Sequence, residues 1–341
     1  MGEHSINNAS SVMMGFQFQV NVAIYFMFKY LKEINFIRVE GESEDIEVYF
    51  TDKSKFMIQS KAQTVNINDN TNNNSKLKKS LSSLAKADSA NVKRLYYASN
   101  IRNPVNSETG EFEKYDIAAF MYNDLSPESQ EKIDEQINNL GGISIDKNKL
   151  AIIRIPFFGE IEEEKYKYIV QTARDVLSIM NENLSYKSNA IVHFMENKFY
   201  NNGTAKKETK ISKEEFCNWI ILKEIETMEV PTDKIGIDEA DSYEAYNQYR
   251  KFIDEKASSY ECYSKVFSLF EKYRRNRQIG YSQFVNEAKL ELYNYFFENE
   301  IKNEENINEE TLYDIYVAQI ISYFILIRKG LIEKVREGAN L

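Results

Sequence analysis

Apolar residues crowd nearly every face of the stretch from residue 10 to residue 32, which ends in the charged Lys29, Lys32 and Glu33; the pattern predicts a long, largely buried first helix. The period then changes. Residues 36–40, 45–50 and 55–61 run at strand lengths, and Thr51-Asp52-Lys53-Ser54 between the last two is the chemistry of a hairpin turn. The Asn-rich residues 66–74 read as a loop, 75–87 as a lysine-bearing helix and 93–98 as a strand. The first hundred residues thus follow the order α-β-β-β-α-β, an α/β pattern.

Farther along, residues 150–157 predict a strand, 166–180 a helix, and 190–195 either one. The polar segment 201–210, with Gly203 inside it, marks a compositional boundary, so domains are expected at 1–200 and 201–341. Beyond it the patterns are helical: 212–226, 240–277, 281–300 and 309–335. The second half is expected to be an all-α domain.

Composition agrees with this division, since Gly (12) and Pro (4) are scarce and aromatics make up 13% of a 341-residue chain. The formal net charge is −10, but charge is unevenly spread. Residues 61–102 hold eight Lys and Arg against Asp69 and Asp88, a local excess of six positive charges. Cys217 and Cys262 are the two cysteines and form no C-x-x-C pair, so they argue for neither a disulfide framework nor a cysteine zinc site, and a reducing cytoplasm fits. Residues 5–28 carry no charge, yet Asn7, Asn8, Gln17, Gln19 and Asn21 interrupt them, and 315–327 falls short of the ~20 apolar residues that span a bilayer; no membrane segment is expected. No G-x-x-x-x-G-K phosphate loop is present, so ATP hydrolysis by this chain is not expected.

The chemistry concentrates in Val39-Glu40-Gly41-Glu42-Ser43-Glu44-Asp45 and Ile58-Gln59-Ser60-Lys61. Alternation places Asp45, Glu47 and Tyr49 on one strand face, and Gln59 and Lys61 on one face of the next strand. If the strands pair, an acidic strand start lies beside a lysine. Hydrolysis of a phosphodiester needs a metal to polarise the phosphate and a cation to offset developing charge. Asp45, the backbone carbonyl of Ser60 and an acid from the 40–44 segment would give an oxygen-rich Mg²⁺ (or Mn²⁺) shell, with Lys61 as the cation. Lys76, Lys78 and Lys79 on the next helix are candidate DNA contacts.

On these residues the first hundred positions resemble the Mrr-like branch of the PD-(D/E)xK nucleases, in which Gln replaces the second acid. Gly15-Phe16-Gln17-Phe18-Gln19 is similar to that family's aromatic-Gln helix motif, Glu44-Asp45-Ile46 to its acidic strand start and Ile58-Gln59-Ser60-Lys61 to its Gln-x-Lys strand. The resemblance is to the endonuclease domain of bacterial anti-phage effectors, both the CBASS-associated type and the Lamassu nuclease subunit. It implies a restriction-endonuclease-like α/β domain, a mixed sheet flanked by helices, followed here by the all-α domain. It implies catalytic roles for Glu42, Asp45, Gln59 and Lys61, with Glu40 as rival to Glu42 and Gln19 in support, and metal ligation by Asp45, Glu42 and the Ser60 carbonyl. Double-stranded DNA is the implied substrate. An SMC-like ATPase is the implied partner, with a HerA-like ATPase as the alternative, and activation by homo-oligomerisation is a further expectation.

Plainer readings stand beside these. An acidic strand next to a lysine strand is often a solvated edge with cross-strand ion pairs, and the chain would then be an inactive nuclease fold that binds DNA or protein. His193, among Ile191, Val192 and Phe194, reads as a core histidine. The basic run 272–277 sits at a predicted helix end, where cations complement the helix dipole.

Overall fold

The change of period after residue 32 is the change from helix to sheet. The computed structural model describes residues 3–63, 70–159, 161–204, 210–225, 232–275 and 278–341. It divides into two compact units, Met1–Lys213 with Asn340, and Glu214–Ala339 with Leu341.

In the first unit α1 (Glu3–Lys29) leads into β1 (Ile34–Val39), β2 (Ile46–Phe50) and β3 (Lys55–Lys61), an antiparallel meander. Helix α2 (Asn70–Ala87) crosses over to β4 (Val92–Ser99), which pairs parallel to β3. Strand β5 (Ala118–Met121), α3 (Pro127–Asn138) and β6 (Leu150–Arg154) follow, then α4 (Glu162–Met180), α5 (Glu182–Tyr186), α6 (Ser188–Thr204) and β7 (Lys210–Ser212). The result is a seven-stranded mixed sheet in the order β5-β6-β4-β3-β2-β1-β7. Because β3, β4 and β6 are parallel and aligned through Lys61↔Ser99↔Arg154, their carboxyl ends share one edge of the sheet.

Alternation sorts the two faces. Phe56 and Tyr96 turn toward α1, where Phe26 packs 5.0 Å from the Tyr96 ring and Tyr30 packs 5.4 Å from that of Phe56. Met57, Leu95, Tyr97 and Ile152 face the other way and meet Leu77, Leu81 and Leu84 of α2 and Ile133 of α3. Helix α1 touches the sheet as well as α4 and α6, which is why it is apolar nearly all round.

Several boundaries differ from those expected. Helix α2 begins at Asn70 rather than residue 75, since the Asn73 and Asn74 side chains find amide partners outside the helix instead of breaking it. Strand β6 stops at Arg154, two residues before Pro156, which cannot donate to a ladder. Residues 190–195 are helical within α6. The first unit extends to Lys213, past the expected boundary at residue 200, because α6 continues to Thr204 and β7 then pairs with β1 through Ile37↔Ile211. Strand β5, α3, α5 and β7 were not anticipated; they are short or lack a clear apolar period.

The second unit contains most of α7 (Lys213–Ile225), then α8 (Thr232–Ile235), α9 (Glu239–Ser258), α10 (Tyr260–Arg274), α11 (Tyr281–Glu287), α12 (Lys289–Phe297), α13 (Glu309–Ile327) and α14 (Lys329–Ala339). Three long expected helices are each broken in two, at Ser259, Ala288 and Arg328. Ser259 shows the cause: its extended backbone and its side chain, which accepts from Cys262 N, make it the cap of a new helix. Helix α13 is long and apolar enough to cross a membrane, yet it is mostly buried, with α9, α10, α11 and α12 packed around it. Among the described residues of this unit, only Tyr243 and Leu341 are large, apolar and well exposed.

Candidate functional site

The site begins in the turn between β1 and β2. Glu40 N donates to Asp45 O at 2.8 Å and Gly41 N to Glu44 O at 3.0 Å, so the hairpin closes one rung beyond the strands. Glu40 itself adopts a left-handed φ of 51°. The Glu47 side chain folds over Gly41, where a Cβ would stand 2.5 Å from Glu47 Cδ. Glu47 is only 2% exposed; its carboxylate accepts from Ser43 N at 2.9 Å and from the Tyr49 hydroxyl at 2.8 Å, with Arg38 Nη1 3.8 Å away. This buried carboxylate shapes the turn and leaves Asp45 free to face β3.

Strand β2 pairs with β3 up to Ile46↔Ile58, which brings Asp45 level with the end of β3. There, donors converge on one atom. Asp45 Oδ2 accepts from Gln59 Nε2, from Ser60 N at 2.9 Å and from Ser60 Oγ at 3.2 Å, and Lys61 Nζ lies 3.7 Å away. The N–H and C=O of one strand residue point to the same edge. Because the Ser60 N–H faces Asp45, its carbonyl is directed to the same side.

Glu42, the acid expected beside Asp45, stands apart from it. Glu42 is 85% exposed and pairs with Arg38 Nη1 at 3.1 Å. Glu40 instead shares the field of Asp45 and Lys61. Desolvation within the turn and the Asp45 charge raise its carboxyl, while a hydrogen bond with Gln19 and the Lys61 ammonium oppose the rise. Glu44 lies on the other side, 5% exposed, and burial pushes its carboxyl up to about 7. Neither of its oxygens has a partner in hydrogen-bond geometry, although the Ser83 hydroxyl of α2 faces it and offsets part of the burial. The structure therefore groups Gln19, Glu40, Asp45, Gln59, Ser60 and Lys61, and leaves Glu42 outside as a surface ion pair.

Among the described residues no set of three or more His, Cys, Asp and Glu side chains is arranged to hold a metal. The oxygens at hand are the carboxylates of Asp45 and Glu40, the Gln59 amide oxygen and the Ser60 carbonyl. These hard neutral and anionic donors fit a partial shell for Mg²⁺ or Mn²⁺ that water would complete.

Of the expected DNA contacts, Lys78 and Lys79 are exposed on α2. Lys76 is turned inward, donating to Ala62 O at 3.1 Å just beyond Lys61. Two cations of the basic run at the end of α10 face acids: Lys272 lies 3.7 Å from Glu291 and Arg274 lies 3.5 Å from Glu271. Residues 276–277 of that run lie outside the described residues.

A second polar centre was missed. Buried Glu196 of α6 accepts from Asn21 Nδ2 at 2.8 Å and from the Tyr166 hydroxyl at 2.8 Å; Gln17 Nε2 donates to that hydroxyl at 2.5 Å, and Lys165 Nζ donates to Gln17 Oε1 at 2.5 Å. Burial alone would raise the Glu196 carboxyl, but the bonds from His193, Tyr166, Asn21 and Gln17 outweigh it and hold the carboxyl below its ordinary value. His193 is thus half-buried and bonded to Glu196, which lifts its pKa. The signal in the sequence was Asn21, a polar residue in the most apolar part of α1.

No family model matches the chain, and no curated protein matches it. Among solved structures it is similar to the Cap4 SAVED/CARF-domain containing receptor of Moraxella osloensis (TM-score 0.38, 14% identity, 62% of this chain and 48% of that one). It is also similar to the Acinetobacter baumannii Cap4 SAVED/CARF-domain containing receptor solved with the cyclic trinucleotide 2'3'3'-cAAA (TM-score 0.37, 17% identity, 62% of this chain and 45% of that one). The chain spans less than half the length of these structures. At such TM-scores and identities the likeness assigns no activity to this chain.

Proposed function

We propose that the first unit is a metal-dependent endonuclease that hydrolyses double-stranded DNA, and that the chain is the effector of a bacterial anti-phage system. The observation that carries this reading is the convergence on Asp45: a strand-start carboxylate and a Gln-x-Lys strand end meet at the carboxyl edge of the sheet, with Glu40 in the field of both Asp45 and Lys61. The sequence resemblance to Mrr-like nucleases, carried in part by the same residues, supports it, as does the α-β-β-β-α-β order of the first hundred residues.

Asp45, the Ser60 carbonyl and Glu40 would hold the cation, with Gln59 beside them. When bound, Mg²⁺ or Mn²⁺ supplies Lewis acidity toward a phosphate oxygen and acidifies water. Lys61 places a positive charge where negative charge grows on the phosphoryl oxygens. Gln19 holds the Glu40 carboxylate toward this centre, and Ser60 N fixes the Asp45 carboxylate in place. Lys78 and Lys79 meet the DNA backbone.

The proposed task of the helical unit is contact with a partner that restrains or recruits the nuclease. From the resemblance that partner is an SMC-like ATPase, with a HerA-like ATPase as alternative, and self-assembly on activation would license cutting. Cleavage of supercoiled and linear DNA by the full chain, with Mg²⁺ or Mn²⁺ and with chelator, tests the reading, with Asp45→Ala and Lys61→Ala as controls. A second reading, an inactive nuclease fold that binds DNA, is favoured because no three His, Cys, Asp or Glu side chains among the described residues are arranged to hold a metal. DNA binding without metal-dependent cleavage would select it.

A further inference from the structure

Past the end of β3 the chain leaves the β-ladder, and its backbone groups need other partners. Side chains supply them one residue after another. Ser99 Oγ donates to Lys61 O at 2.9 Å. Lys76 Nζ donates to Ala62 O at 3.1 Å. Asn100 Nδ2 donates to Gln63 O at 2.9 Å, and Asn100 Oδ1 accepts from Gln63 N at 2.8 Å. Three successive carbonyls, those of residues 61, 62 and 63, are each held by a side chain.

Ser99 and Asn100 are fully buried, and each is fastened in turn. Ile101 N donates to Ser99 Oγ at 3.1 Å, and the Asn100 amide also donates to Phe157 O, beyond β6, at 3.2 Å. A side-chain amide that both donates to and accepts from one residue's backbone copies a rung of sheet. The extra rung prolongs β3 by two residues exactly where a free strand end would fray. Lys61 sits between this clamp and the Ser60–Asp45 bond, so the base of its side chain is fixed from both directions.

The geometry points to Ser99 and Asn100 as positioning residues for Lys61: both side chains are fully buried, and they set where the ammonium stands relative to Asp45. The inference rests on the nuclease reading above and adds to it the residues that orient its cation. A displacement of about 1 Å in a catalytic group can cost on the order of 100-fold in rate, whereas DNA affinity depends on the phosphate-contacting lysines elsewhere.

The test uses the full chain with Mn²⁺ and a linear duplex, comparing wild type, Asn100→Ala, Ser99→Ala and Asp45→Ala. Asn100→Ala is expected to lower kcat about 10- to 100-fold and Ser99→Ala by less. KM for the duplex and the Mn²⁺ dissociation constant should stay within about twofold, because the ligands and DNA contacts are untouched. If Asn100→Ala does not fold, Ser99→Ala decides, since it removes one hydroxyl and leaves every buried amide in place. Wild-type kcat in the folded variants, or an equal change in KM and metal affinity, overturns the positioning role while the nuclease reading stands. Absence of Asp45-dependent cleavage in wild type overturns both.

Discussion

Lys61 Nζ lies 3.7 Å from Asp45 Oδ2, and the pair is partly exposed, at 31% and 20% of their side-chain surface. An ion pair in that setting contributes little to stability, ~1 kcal/mol or less. Lys61→Ala is therefore expected to abolish cleavage with the melting temperature changed by no more than a few degrees. Asp45→Ala should also abolish cleavage and weaken Mn²⁺ binding as read by calorimetry. Unchanged metal affinity would move the anchor to Glu40 or Glu44.

Gly41→Ala tests the turn. The added methyl would run into the buried Glu47 carboxylate, and overpacking of this kind costs roughly 1–3 kcal/mol. A lower denaturation midpoint together with reduced cleavage is expected, since the same turn presents Glu40 and Asp45. A variant as stable and active as wild type would show that the turn adapts.

The lysines of α2 should separate into two classes. Lys78→Glu with Lys79→Glu is expected to weaken duplex binding more at low salt than at high salt, because phosphate contacts act through counterion release. Lys76→Glu should instead disturb the end of β3, because Lys76 holds the Ala62 carbonyl, and its effect should appear in turnover. Equal salt dependence for both would put Lys76 on the DNA.

The Glu196 centre makes stability depend on pH in a defined window. The bond to Glu196 raises His193 above its ordinary 6.5, so its contribution is fully present below pH 6.5 and is lost as pH rises through the raised value. Glu196 is held below its ordinary 4.5, so its contribution is present above pH 4.5 and is lost as pH falls through the lowered value. Glu162 also faces the imidazole, at 3.6 Å, and Lys165 and Tyr166 complete the charged surroundings. The pair should stabilise the unit most between those two ordinary values, and His193→Gln should flatten the decline in melting temperature between pH 6 and pH 9. A slope unchanged by that substitution would assign the decline to other groups.

Fragments test where the first unit ends. A chain cut after Lys213 keeps β7 over the β1 edge, whereas one cut at residue 200 removes it and leaves that edge unpaired. The longer fragment should stay monomeric at concentrations where the shorter one aggregates. Partner capture that survives in the longer fragment would place the docking surface on the nuclease unit.

The sequence by itself determined the α-β-β-β-α-β order, the face that Asp45 shares with Glu47 and the one that Gln59 shares with Lys61, and the helical second half; that the two faces coincide was settled by the pairing of β2 with β3. Period and alternation are local properties, and a side chain's face follows from them whatever lies across the sheet. It favoured Glu42 over Glu40, but five acids within eight positions look alike until the turn closes; in the closed turn, with Glu47 folded over Gly41, Glu42 pairs with Arg38 while Glu40 interacts with Gln19. It could not find β7, three residues made a strand by the open edge of β1. The Glu196 centre joins positions up to 175 residues apart, and the clamp on Lys61 joins residues 37 and 38 apart. Such contacts carry no local period, since each exists only because the tertiary fold buries a polar group that must then find a partner.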